Sequence, residues 1–288
     1  MSPTFSPISL GGVGRATVTS TSGSPTVNNN SRAGKTVYEF NGSGSITIGT
    51  AGYAEIAVIS GGGGGGGGYP QQFISTFMGG GGGGGVHSAT SHFLSAGSHT
   101  ITVGAGGSVG GNFNNGCDTG QRLAVGYPGS LSKIGQVVVV GGGSTASGNA
   151  THRDSLGIDQ WGAIFPTQGG GNQRGVIVCK ASSTNSLGVG GDGGNNTSAR
   201  SGGGGGGGAS GNNGGNASNN AFNGNGGNGT TVNITGNAVV YGGGGAGTGC
   251  SPGNGGGGNA NNPGSANTGG GAGTESSGGS GKVIVVIG

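Results

Sequence analysis

Apolar residues come in short bursts along this chain, and most bursts run directly into glycine. Thr36–Phe40 and Ser45–Ile48, separated by Asn41-Gly42-Ser43-Gly44, predict a hairpin. The second segment alternates polar and apolar residues, so one of its faces is buried. Tyr53–Ser60 carries apolar residues on both faces, as a central strand does, and leads into the eight glycines Gly61–Gly68. The same order recurs where His99–Val103 meets Gly104-Ala105-Gly106-Gly107, where Gln136–Val140 meets Gly141–Gly143, and where Ala238–Tyr241 meets Gly242–Gly245. Lys282–Ile287 is a last apolar strand, which must be paired to be buried. Its expected partner is Tyr53–Ser60. Before Lys35 the valines at 13, 18 and 27 are too sparse to predict a strand. Residues 1–34 therefore read as an extended arm or as an attachment segment, and residues 35–288 as one glycine-rich domain.

Further glycine runs lie at Gly79–Gly85, Gly202–Gly208 and Gly255–Gly258. Inside an ordinary helix or strand each glycine costs about 0.5–1 kcal/mol relative to alanine, because it has more backbone freedom to lose. Such runs either stay disordered or adopt a form that only glycine can make. The extended left-handed threefold helix is that form: it has no internal hydrogen bonds, and its N–H and C=O groups are free to bond sideways. The expected fold is mainly irregular and β, with packed polyglycine-II helices, a small β-sheet at the base, variable loops at the tip and essentially no α-helix. No fixed repeat length emerges, which weighs against a solenoid.

Composition narrows the function. The chain has 85 glycines among 288 residues, 29% apolar residues and only 6% charged residues, with a net charge of +3. Without a basic stripe, binding to nucleic acid or to an anionic membrane driven by charge is not expected. No apolar segment approaches the roughly 20 residues of a membrane span. The first residues lack the basic and apolar regions of a signal peptide, so export by that route is not expected. Cys117, Cys179 and Cys250 are widely spaced and odd in number, which argues against a zinc site or a full disulfide framework. Whether any pair is bridged is open at this point.

Motifs for catalysis dissolve under the composition. Gly249-Cys250-Ser251-Pro252-Gly253 fits G-x-S-x-G, but no helix follows it. Asp118-Thr119-Gly120 has no second copy. His87, His92 and His99 fit neither a helix face nor a zinc finger and have no acidic or cysteine partner nearby, so they read as solvated loop residues. Neither an enzyme nor a bound cofactor or metal is expected. The segments between glycine runs are another matter. Tyr69, Phe73 and Phe77 lie between the first two long runs, Tyr127 falls within Asn112–Pro128, and Arg153, Trp161 and Phe165 fall within residues 149–168. These are the candidate contact residues, either capping the glycine array or forming an exposed recognition surface.

The order of these parts resembles the glycine-rich domain of bacteriophage tail and tail-fibre proteins. It runs from an apolar strand with a glycine run (Ala54–Gly68) through a loop and a second run to a strand ending Thr102-Val103-Gly104-Ala105-Gly106-Gly107, and closes on a valine- and isoleucine-rich strand. It is similar in architecture to the receptor-binding tip adhesins of T-even-type phages, although residues 1–34 do not match their tryptophan-containing attachment region. The resemblance implies a virion protein of a tail or fibre tip, made in the host cytoplasm. It implies loops that bind a bacterial outer-membrane protein or surface glycan, and other tail or fibre proteins held through the N-terminal segment. The alternatives are a non-binding structural virion protein (tail, fibre or capsid decoration) and an ice-binding protein. The latter is disfavoured by the lack of regular G-x-x triplets.

Overall fold

The computed structural model describes residues 14–66, 79–109, 112–113, 123–124, 126–139, 141–142, 214, 224–247 and 249–288. Among them there is no helix, and the regular elements are all strands. They are β1 (Val18–Ser22), β2 (Thr26–Asn28), β3 (Thr36–Phe40), β4 (Gly44–Ile48), β5 (Gly52–Ile59), β6 (Val86–Leu94) and β7 (Gly97–Thr102). The series continues with β8 (Asn112–Phe113), β9 (Leu123–Ala124), β10 (Ser132–Ile134), β11 (Val137–Val139), β12 (Thr230–Val232), β13 (Val239–Tyr241) and β14 (Lys282–Ile287). The fold is mainly β and irregular, as its sequence pattern predicts.

One sheet runs β2-β3-β14-β5-β6 and a second runs β1-β4-β7-β10-β11, with neighbours antiparallel throughout. The pairs β12–β13 and β8–β9 form two-stranded sheets. Strand β14 lies between β3 and β5, so the predicted pairing of the last strand with residues 53–60 holds. Alternation along β14 divides the core in two. Val283 and Val285 join Phe40, Ile56 and Val58 and meet Ile46, Ile101 and Ile134 from the second sheet. Ile284 and Val286 join Val37, Ala57 and Ile59 on the other face, beneath Val232, Ile234 and Tyr241 of the β12–β13 hairpin. Each fully buried Val or Ile side chain contributes about 1.5–3 kcal/mol, so the base rests on apolar burial.

The strand at 36–40 and the strand at 45–48 exist, but they are not a hairpin. Strand β3 pairs with β2 and β14, whereas β4 pairs with β1 and β7 in the other sheet. Residues 41–43 are a corner between sheets, because β14 occupies the side of β3 that β4 would need. The valines at 18 and 27 do lie on strands, which corrects the expectation of an arm at those positions. Strands β1 and β2 sit at the edges of the two sheets and are largely exposed, so they lack the apolar alternation that would have announced them. Strand β6 was also missed, and it places His87 and His92 on an edge strand rather than in a loop. His99 lies on β7, within the strand predicted there.

Beyond the sheets the glycine segments bond sideways in steps of three. Ser60, Gly63 and Gly66 donate their N–H groups to the carbonyls of Gly85, Gly82 and Gly79. Gly61 and Gly64 donate to Ser130 and Tyr127, and Gly62 and Gly65 donate to Gly279 and Ser276. One stretch of backbone is thus tied to three neighbours in rotation. Other segments keep the same step: Gly281 and Gly278 donate to Gly104 and Gly107, and Gly244 and Gly247 donate to Gly227 and Gly224. At most glycine positions of the array there is no space for a side chain, although the small Ala246 and Ala272 are buried within it. A Cβ at Gly61, Gly62, Gly64 or Gly65 would run into the carbonyl oxygen of Ala105, Gly270, Ser108 or Gly273 respectively.

Gly64→Val is therefore expected to yield insoluble protein, and Gly62→Ala to lose about 1–3 kcal/mol or more through overpacking against backbone. Gly42, with no atom within 4 Å of a built Cβ, is the control. Gly42→Ala should stay within about 0.5 kcal/mol of the parent chain. Soluble yield and denaturant unfolding of the three variants check the contrast, and equal behaviour at positions 42 and 62 would defeat it.

Candidate functional site

The chain leaves the base sheets through glycine segments, and several of these segments end together. Gly66 donates to Gly79 and accepts from Glu275, while Gly64 donates to Tyr127 and Tyr127 donates to Ser108. The segment 242–247 runs beside them, with Gly245 donating to Gly81 and Gly247 to Gly224. The points at which the chain departs for 67–78, for 110–111, for 125 and for 215–223 are thereby gathered at the end of the array away from β5. Four departures are thus rooted in one place, whereas the chain departs for 143–213 nearer the base, after Gly142, whose N–H donates to Gly61.

Tyr127 is the candidate contact residue that lies among the described residues, and it belongs to this end. Its N–H bonds to the Ser108 carbonyl at 2.9 Å and its carbonyl accepts from Gly64 at 2.8 Å. The residue is 47% exposed. The backbone is fixed on two sides while the phenol stands in solvent. Val109, next to its partner Ser108, is also exposed, as are Leu131 and Glu275. Tyr69, Phe73, Phe77, Arg153, Trp161 and Phe165 fall outside the described residues, as do Cys117 and Cys179. Val109 and Glu275 were not singled out from the sequence. The only signal for Val109 is its place two residues after the Gly106-Gly107 pair, and Glu275 gives none.

A second exposed aromatic feature also escaped the sequence reading. Tyr53 of β5 faces Phe93 of β6 across the strands, edge to face, with ring centroids 5.8 Å apart. Both rings are more than 40% exposed. The predicted strand at 53–60 contained Tyr53, but β6 had to be recognised before Phe93 had a partner.

Among the described residues charge is concentrated at the base. Glu55 is nearly buried on the face of β5 that carries the second core. Arg32 donates through Nη1 to Glu55 Oε2 at 2.5 Å and to the Ile234 carbonyl at 2.8 Å, and Lys35 donates to Glu55 Oε1. The Arg32 guanidinium thus ties the β12–β13 turn to the sheet. Burial alone would raise the Glu55 pKa, but the hydrogen bonds and positive charges of Arg32 and Lys35 outweigh it and hold the carboxyl below its ordinary value. Lys282 Nζ donates to Glu39 at 2.6 Å nearby. Burial, with a smaller contribution from the Glu39 charge, pushes the Tyr241 hydroxyl up to about 12, so it stays protonated. Among the described residues no three His, Cys, Asp or Glu side chains are arranged to hold a metal ion.

No model of a known protein family matches the chain. No curated protein matches it either.

The Glu55 clamp has a pH signature. Its carboxyl ionises more readily in the folded than in the unfolded chain, so its contribution is complete above the ordinary carboxyl pKa of 4.5 and is lost as pH falls through the folded value. Glu55→Gln should cost about 1.5–3 kcal/mol at neutral pH, the value of hydrogen bonds to a charged group. The variant should also lose part of the acid sensitivity below about pH 4.5. Urea unfolding of both proteins from neutral pH into that range measures each effect.

Proposed function

We propose that this chain is a bacteriophage tail-fibre or tail-tip adhesin, in which a rigid glycine scaffold presents recognition segments to a receptor on the bacterial surface. The observation that carries this reading is the convergence of four departing segments at one end of the array, with Tyr127 held there by its backbone and exposed at its side chain. The scaffold is read as packed polyglycine-II helices. Hydrogen bonding in steps of three to three successive neighbours supports that assignment, because a helix of three residues per turn returns each donor to the same side every third residue. In this reading the two apolar sheets are the base, and the segments rooted at the far end are the tip.

Recognition then falls to Tyr127 and to the other candidates, Tyr69, Phe73, Phe77, Arg153, Trp161 and Phe165. The partner is an outer-membrane protein or a surface glycan, met by aromatic side chains as binding surfaces commonly are. The N-terminal segment would join the chain to other tail or fibre proteins. The resemblance of the strand-and-glycine order to phage glycine-rich domains supports the same conclusion.

Purified protein should bind whole cells of a susceptible strain saturably. Trp161→Ala, Phe73→Ala and Tyr127→Ala should weaken that binding about tenfold or more if the residue is a hot spot, with an unchanged melting temperature. Absence of saturable binding across a broad panel of strains would overturn the adhesin reading and favour a structural virion protein.

A further inference from the structure

Three of the four histidines of the chain lie on the inward faces of the two sheets, His87 and His92 on the edge strand β6 and His99 on β7, to which the chain crosses next. His87 stands opposite Val58 and His92 opposite Ala54 across β5–β6, and both partners belong to the core shared by the sheets. His99 stands opposite Ile46 across β4–β7, and Ile46 is in the same core. All three imidazoles are partly buried. Strand β6 is the last of its sheet, its register with β5 is broken between Ala54 and Ile56, and residues 95–96 are the corner that carries the chain across to β7. His99 Nε2 lies 2.8 Å from the Ser95 carbonyl in that corner.

We infer that this edge is an acid-operated latch: protonation of histidines turned inward without an acidic partner frees β6 and the corner to β7 from the core. The groups facing the shared core from β4, β5, β10, β11 and β14 are aliphatic apart from the buried Ser132 hydroxyl of β10, which accepts from the Gly104 N–H and does not titrate. The other titratable group on those faces is Tyr38 of β3, whose hydroxyl burial pushes further from ionisation. Glu39, Glu55 and Lys282 lie on the opposite face of their sheet, Lys133 lies on the outer face of the second sheet, and Arg15 is exposed. Among the described residues no carboxylate is placed to neutralise an imidazolium here. Positive charges added at this edge repel one another as well as losing water.

The direction agrees with the geometry. Burial lowers the pKa of His87, and the charge of His92 lowers it further; burial lowers that of His92, and the charge of His99 adds to it. A histidine that binds its proton less readily when folded stabilises the fold fully above the ordinary value of 6.5, and that stability is lost as pH falls through the folded pKa. This window lies above the carboxyl range in which Glu55 titrates, so the two effects separate.

Amide hydrogen exchange of the full chain, corrected for the intrinsic dependence on pH, tests the latch. Between about pH 7.5 and about pH 5, exchange across residues 86–102 should rise about tenfold or more while β14 keeps its protection. The double variant H87Q/H92Q should exchange at the same corrected rate at both pH values. The single variant H92Q, should the double variant fail to fold, should reduce the rise. Unchanged exchange across 86–102 in the parent chain, or an equal rise in whichever variant folds, overturns the inference.

Discussion

Everything above the base sheets depends on backbone hydrogen bonds made between segments. A buried N–H or C=O left without a partner costs about 1–3 kcal/mol, and an extended glycine segment satisfies none of its own. The chain resolves this by placing neighbours on several sides of each run, so that Gly61 to Gly66 find acceptors on three different segments. Such an array is cooperative by construction, because removing one segment strands polar groups on several others. It also excludes side chains, since a Cβ at these positions meets a carbonyl, which cannot swing aside as a flexible side chain can.

The junction between sheet and array needs its own chemistry. Where β5 gives way to glycine, buried Ser60 donates through both its N–H and its hydroxyl to the Gly85 carbonyl. Where β7 gives way, the Gly104 N–H bonds to the hydroxyl of buried Ser132 on β10. Hydroxyls here extend the ladder past the last sheet bond. Farther along, Asn261 and Asn267 take positive φ angles near +61° and accept from the Thr274 and Ser280 hydroxyls. The left-handed backbone and the short amide side chain suit one another at such turns.

Strands that carry continuous or alternating apolar residues were legible in the sequence. Residues 36–40, 53–60 and 282–287 stood out, and the pairing of the last two followed from the need to cover a strand buried on both faces. Legibility failed where burial is slight. Strands β1, β2 and β6 sit at sheet edges, and the Ser, Thr and His residues that suit an edge look like loop sequence. It failed again where a local pattern had two outcomes, since 36–48 alternates equally well as a hairpin and as two strands meeting at a corner. Of the candidate site, the sequence named Tyr127, which the structure places where glycine segments end. It held nothing about Val109 or Glu275, whose importance comes from where the glycine segments end.

A scaffold built this way constrains function in a specific manner. Its described interior is nearly bare of side chains, and the charges among the described residues are largely paired at the base, on Glu55, Glu39 and their partners. In the proposed reading, recognition is carried by what the glycine segments hold at their ends. Tyr127 illustrates the advantage: both of its backbone polar groups are tied within the array, so a partner meeting its ring has only the side chain left to order. Ordering loops and side chains is a principal cost of association, and a fixed backbone removes much of it in advance. The same rigidity lets neighbouring insertions differ in sequence without disturbing the hydrogen-bond rows that support them, because those rows read backbone and not side chains.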